Sequence, residues 1–76
     1  MEVFEKLLDS ELYSYFKNAS FYENPVFHTA HKTIDFYIEF ENVIPLEVYE
    51  QIITKLQLAL HVHVKLHIHS KNNAVE

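Results

Sequence analysis

The sequence lacks several residue types on which many functional sites depend. Its 76 residues include no cysteine, no glycine and no tryptophan. Without cysteine the chain can form neither a disulfide nor a thiolate metal site, and a cysteine nucleophile is excluded. Without glycine, the loops that cradle nucleotide phosphates and the usual glycine turns and helix C-caps are excluded as well. We therefore expect no cofactor, and packing alone must stabilise so small a domain.

Arginine is also missing, and negative charge predominates. The chain has six lysines and eleven aspartates and glutamates, which give a net charge of −5. This sign disfavours DNA contact, because affinity for nucleic acid depends on neutralising phosphates. The apolar runs are far shorter than the roughly 20 residues needed to cross a bilayer, and the hydrophobic fraction of 49% predicts a folded core. We expect a soluble, cytoplasmic monomer without membrane contact.

Two segments have the periodicity of amphipathic helices. The first covers residues 2–17, and the second begins near Pro45, a residue suited to the first position of a helix. In both segments apolar residues recur at three- and four-residue spacing. The apolar positions of the first segment are Phe4, Leu8, Leu12 and Tyr15. Those of the second are Tyr49, Ile52, Ile53, Leu56 and Leu60.

Three further segments are predicted as strands. Residues 26–29 follow Pro25, which cannot donate a ladder hydrogen bond, so this strand begins at the proline or lies on an edge. Residues 33–40 alternate between apolar and polar side chains, and residues 60–69 do so almost without fault. The intervening residues 29–32 are short enough for a hairpin between the first two strands.

This order of elements predicts an α+β fold. An αββαβ chain whose strands are apolar on one face forms two layers, with a three-stranded mixed sheet and two helices on one face. The hairpin makes the first two strands antiparallel, and the return through the second helix makes the third strand parallel to the second. We predict one domain over residues 1–69, followed at residues 70–76 by a polar tail or the start of a linker to a following domain.

The polar side of this sheet holds the candidate binding residues. Exposed tyrosines are enriched at interaction hot spots, so Tyr37 is a candidate binding residue. The third strand adds a polar row of imidazoles and one ammonium group. The predicted binding residues are Tyr37, His61, His63, Lys65 and His67. If the second and third strands are neighbours, Asp35 or Glu39 can pair with a protonated histidine.

Neither a metal site nor a catalytic site is predicted from these residues. Histidines two positions apart on a strand share a face, but zinc requires three or four convergent ligands, and Lys65 interrupts the row. A solvated polar face is the favoured interpretation of the histidines. The serines do not lie on a nucleophile elbow or beside an oxyanion loop, and Glu39 and Glu41 on an open face have no closed pocket.

The segments 32–38 and 40–49 resemble the first N-terminal domain of the PolC-type DNA polymerase III alpha subunit. Lys32, Asp35, Phe36, Pro45 and Tyr49 fit the pattern of that family. A tryptophan is usual at the position of residue 34, where this chain has isoleucine. The resemblance covers about residues 24–69 and depends on packing residues, and the first helix aligns by position and pattern only.

The resemblance implies a type II KH-like fold, similar to the C-terminal domain of the clamp-loader tau subunit, which binds the polymerase. It also implies a parent protein that performs DNA-directed DNA synthesis with 3′–5′ exonuclease proofreading. The family's catalytic residues belong to later domains, so none can be assigned here. A KH domain that binds nucleic acid uses a GxxG loop, which a chain without glycine cannot form.

Three hypotheses follow. The first is a protein–protein docking module that contacts replisome proteins or other domains of the parent polymerase. The second is a degenerate KH-like nucleic-acid-binding module in which protonated histidines contact phosphates. The third is a small histidine-based metal-binding protein. The sign of the net charge and the absence of glycine favour the first.

Overall fold

The computed structural model describes residues 2–72, which form an α+β fold with a three-stranded mixed sheet. The helical elements at the N-terminus are α1, α2 and a 3₁₀ turn, and a long helix, α3, lies between the second and third strands. The elements in chain order are α1 Glu2–Leu7, α2 Ser10–Tyr13, the 3₁₀ turn Ser14–Phe16, β1 Ser20–His28, β2 Thr33–Asn42, α3 Leu46–Leu60 and β3 His63–Asn72. None of these helices combines the length and the apolar character that spanning a membrane requires.

The N-terminal segment is not the continuous helix that its periodicity predicts. Helix α1 ends at Leu7, and Asp9 caps a new start by accepting the backbone N–H of Leu12 at 2.9 Å. Aspartate favours this break because its short side chain competes with the helix for backbone donors. The predicted apolar stripe survives the break, since the side chains of Phe4, Leu8 and Leu12 are all buried.

The strands run in the predicted directions, and β2 lies in the centre of the sheet, a strand order that the sequence left open. Strand β1 pairs with β2 in antiparallel fashion and β3 in parallel fashion. The prediction for β1 was wrong in extent, because the strand begins at Ser20 and not near Val26. Pro25 does lie on an edge strand, as expected. The pairing register shifts on both sides of Glu23, and these irregularities hide the alternation that would reveal the strand.

The core combines side chains of the helical segments with those of one side of the sheet. Phe36, Ile38 and Phe40 of β2 are all buried, and aromatic side chains from the N-terminal segment pack against them. The ring of Phe4 meets that of Phe36 at a centroid distance of 5.1 Å, and Phe16 meets Phe40 at 4.9 Å, both edge to face. The buried hydrophobic residues are Phe4, Leu8, Leu12, Phe16, Phe36, Ile38, Phe40, Ile52, Leu56, Val64 and Leu66.

The connection between α3 and β3 differs from the prediction of a strand beginning at residue 60. Helix α3 includes Leu60, and His61 ends it in the left-handed conformation, with φ of 59°. The N–H of His61 donates to the carbonyl of Gln57 at 2.9 Å. Leu60 fits both the helical stripe and the strand alternation, so the pattern alone does not place the boundary.

Strand β3 also extends further than predicted, through Asn72. The first three residues of the predicted polar tail, 70–72, therefore belong to the strand. Residues 73–76 lie outside the described part of the chain. The boundary of the domain with any following linker stays a prediction.

Each outer edge of the sheet has features that hinder pairing with a further strand. On β3, Gln57 Oε1 accepts the N–H of Val64 at 3.0 Å, and the hydroxyl of Tyr49 donates to the carbonyl of Leu66 at 3.2 Å. These α3 side chains therefore satisfy two backbone groups of β3 that a further strand would otherwise bond. On β1, Pro25 removes a donor and the register shifts bend the strand, both of which disfavour edge pairing.

The left-handed cap at His61 generates a test of backbone strain. Glycine tolerates positive φ without the steric cost that a Cβ imposes, so His61→Gly should raise the free energy of unfolding by about 0.5 to 1 kcal/mol. The neighbouring Ala59→Gly, inside the helix, should lower it by about 0.5 to 1 kcal/mol. Urea denaturation measures both. Equal destabilisation by the two glycines would contradict the strained cap.

Candidate interaction site

The side of the sheet opposite the core carries most of the residues selected from the sequence. We call it the open face, and on β2 it consists of Thr33, Asp35, Tyr37 and Glu39. The neighbouring residues of β3 point to the same side, in parallel register with β2. Of these, His63, Lys65, His67 and His69 are all exposed, as the alternation predicts.

Asp35 is the centre of this face and is held by two imidazoles. Its Oδ2 lies 2.6 Å from Nε2 of His28 on β1, and its Oδ1 lies 2.9 Å from Nε2 of His67 on β3. An ionised carboxylate only accepts hydrogen bonds, so both Nε2 atoms must carry a proton. Asp35 is 7% exposed and His28 and His67 cover it, so this one carboxylate links all three strands.

Aromatic rings extend this arrangement across the face. Tyr37 stacks on His67 with a centroid distance of 4.5 Å and an interplanar angle of 11°. Tyr22 stacks on His69 at 4.2 Å and meets Tyr37 edge to face at 5.9 Å. The rings and the carboxylate form a continuous group, which we call the open-face cluster. The open-face cluster consists of Tyr22, His28, Asp35, Tyr37, His67 and His69.

The electrostatics of the cluster depend on Asp35. The hydrogen bond from His67 lowers the pKa of Asp35 below its ordinary value of 3.8, against the opposing effect of burial. The hydrogen bond from His28 and the charges of both rings reinforce this lowering. Partial burial, followed by the nearby charge of Asp35, raises the pKa of Tyr37 above 10.0. The cluster therefore contains an ionised carboxylate and a neutral phenol at neutral pH.

The structure brings together only some of the predicted binding residues. Tyr37 and His67 stack within the open-face cluster, and the predicted pairing of Asp35 with a histidine is present in its contact with His67. Lys65 lies beside the cluster, where it borders a shallow depression of about 200 Å³ together with His28 and Asp35.

The other two predicted residues lie at the end of the sheet near the β1–β2 turn. The N–H of His63 donates to the carbonyl of Lys32 at 2.9 Å, and its ring is exposed. His61 was predicted on the third strand, and this was wrong, because His61 forms the cap of α3 and β3 begins at His63. His61 and His63 border a separate depression of about 280 Å³ with Lys32.

The prediction missed Tyr22 and His28, which β1 contributes to the cluster. His28 is paired with Thr33 and lies on the open face, so recognition of a longer β1 would have included it. Tyr22 lies at the register shift between Phe21 and Glu23, where simple alternation fails. The available signal was the aromatic content of residues 20–28, which is typical of a strand.

The geometry of the open face provides contact surfaces and does not form a closed reaction site. Both oxygens of Asp35 are engaged by the imidazoles. Within residues 2–72, no three histidine, aspartate or glutamate side chains are grouped to hold a metal ion. The hypothesis of a histidine-based metal-binding protein therefore gains no support from the described residues.

These features define a small α+β domain with an ordered aromatic and imidazole face. The family model for the DNA polymerase III polC-type N-terminus I matches residues 2–69. The chain therefore belongs to the family of PolC-type DNA polymerase III N-terminal domains, which confirms the resemblance and includes the N-terminal helical segment within it. Comparison with curated proteins and with solved structures gave no match.

The lowered pKa of Asp35 predicts that the free energy of unfolding decreases as the pH becomes acidic. Its ionised form contributes stability above the ordinary pKa of 3.8, and this contribution is lost as pH falls through the lower pKa of the folded state. Asp35→Asn should reduce the free energy of unfolding at neutral pH by about 1 to 3 kcal/mol, because one imidazole loses its acceptor. The variant should also lose stability less steeply below about pH 4.

Urea denaturation at several pH values between neutrality and about pH 3 tests this expectation. Glu39→Gln is the matched control, since it removes one negative charge from the same face of β2 and leaves the carboxylate that bonds His28 and His67 in place. If the free energy of unfolding decreases equally steeply with falling pH in Asp35→Asn and in the unaltered chain, the role of Asp35 is contradicted.

Proposed function

We propose that this chain is a non-catalytic docking module at the head of a PolC-type replicative polymerase, acting in the cytoplasm. Its partners are replisome proteins or other domains of the parent polymerase. DNA-directed DNA synthesis and 3′–5′ exonuclease proofreading belong to other domains of that parent. The family membership of residues 2–69 supports the polymerase context of this proposal.

The open-face cluster is the observation that carries the docking role. Its rings are held by stacking and by Asp35, while the side chains of His28 and His67 remain 47% and 43% exposed. Rings that are already ordered lose little conformational entropy when a partner covers them. Tyrosine combines a large apolar area with a polar group, which suits the centre of a protein interface.

A two-layer, type II KH-like arrangement is part of the proposal. The αββαβ order and the mixed sheet with β2 in the centre support it. Without glycine the chain cannot present the GxxG loop with which KH domains clamp a nucleic-acid backbone. Protein contact through the open face is therefore favoured over nucleic-acid contact.

Substitutions on the open face test the docking role. Tyr37→Ala and Lys65→Glu should each weaken binding to the purified replisome partner or to the remainder of the parent polymerase by about tenfold or more, as hot-spot residues do. Tyr15→Ala and Lys6→Glu, which make the same changes on the N-terminal helical segment, are the controls. Biolayer interferometry measures the affinities, and thermal melting confirms folding. Equal effects of both pairs would refute docking through the open face.

A degenerate KH-like nucleic-acid contact is the second candidate. The observation in its favour is that four histidines of β1 and β3 and Lys65 share the open-face side of the sheet. Protonated imidazoles would attract phosphates, so binding of single-stranded DNA should disappear as pH rises from about 5.5 to 7.5. Fluorescence anisotropy with a labelled oligonucleotide measures this. Absence of binding at both pH values would eliminate the candidate.

A further inference from the structure

A groove on the helical side of the molecule is separate from the open face. It has a volume of about 480 Å³ and runs between α2 and α3. Leu58 contributes apolar surface to it, and the buried Leu12 also lines it. Leu58 is 69% exposed, although it lies on the same helix as the fully buried Ile52 and Leu56. An exposed leucine beside an apolar groove has surface to bury against a partner.

The groove lies along a second face of α3, distinct from the face that points to the core. Glu47, Glu50, Thr54 and Leu58 recur at three- and four-residue spacing, so they share one face of the helix. Ile52 and Leu56 point to the core on the other side. The N-terminal segment approaches this second face at Asp9 and Leu12, and the two elements form the walls of the groove.

The rim of the groove is acidic. Asp9, Glu47 and Glu50 border it, with Lys55 as the opposing charge. Within residues 2–72, no lysine lies within ion-pair distance of these carboxylates. Six of the eleven carboxylates of the chain lie in the helices or at the cap of α2, against the two lysines Lys6 and Lys55 of the helices, so these elements carry a net negative charge.

We propose that this groove binds a short basic protein segment that inserts an apolar side chain beside Leu12 and Leu58. The charge of the rim requires lysines or arginines in the partner, and the apolar walls require an aliphatic or aromatic anchor. A second copy of this chain does not fit, because its own net charge is −5. The inference deepens the proposed docking function by assigning a second surface and the chemistry of its occupant.

The experiment uses a fluorescein-labelled amphipathic peptide of lysine, leucine and alanine, about four helical turns long, as the probe. Anisotropy titration at low salt should show saturable binding that weakens at high salt, since exposed charge pairs are screened. The same peptide with glutamate in place of lysine, and one with serine in place of leucine, should each bind at least about tenfold more weakly.

Matched variants locate the peptide. Glu47→Gln combined with Glu50→Gln should weaken binding about fivefold, whereas Glu2→Gln combined with Glu5→Gln, with the same change of net charge outside the groove, should change it less than about twofold. Leu58→Ser should weaken binding about fivefold. Leu46→Ser is its control, because Leu46 is also 69% exposed on α3 and does not line the groove.

The groove is not the binding site if the peptide shows no saturable binding. The same conclusion follows if the two double glutamate variants lose peptide affinity equally, or if the two leucine variants do. Tyr37→Ala separates this outcome from the docking role of the open face. That variant should leave peptide affinity unchanged. If it weakens the peptide as much as the groove variants do, the peptide binds the open face, and the groove proposal fails while the docking function stands.

Discussion

The alternation of side chains along β2 is the constraint on which the rest of the molecule depends. Both other strands pair with this strand, so its register positions them. On one side Phe36, Ile38 and Phe40 anchor the core, and on the other Asp35 joins β1 to β3 through two imidazoles. A slip of one residue would bury the carboxylate among phenylalanines and expose the core side chains, at large cost in both respects.

This constraint separates the chemistry of the two sides. The helical side concentrates carboxylates, whereas the sheet side concentrates imidazoles around one shielded aspartate. A chain with a net charge of −5 therefore does not present the same potential to every partner. A chain of 76 residues can in this way present two surfaces of different chemistry, one ordered by stacking and the other defined by charge around an apolar groove.

Much of the architecture could be predicted from the sequence because β2 and the stripe of α3 have unambiguous periods. The predicted element boundaries were wrong where helix and strand patterns overlap or where a pattern is interrupted. Leu60 satisfies a helix and a strand at once, Asp9 interrupts an otherwise regular stripe by capping, and the shifts around Glu23 remove the alternation of β1. The candidate site was incomplete for the same reason. Asp35 and His67 follow from strand neighbours, but His28 and Tyr22 require the pairing of an irregular strand that periodicity does not reveal.

The hydrogen bonds that Gln57 and Tyr49 make to β3 determine how the domain can meet other molecules. A sheet with an accessible border recruits extended segments through main-chain groups, which are the same in every protein and discriminate poorly. Here α3 side chains bond two backbone groups of one border, and register shifts and a proline interrupt the other. Both features favour recognition through side chains on broad surfaces over main-chain pairing at the sheet edges.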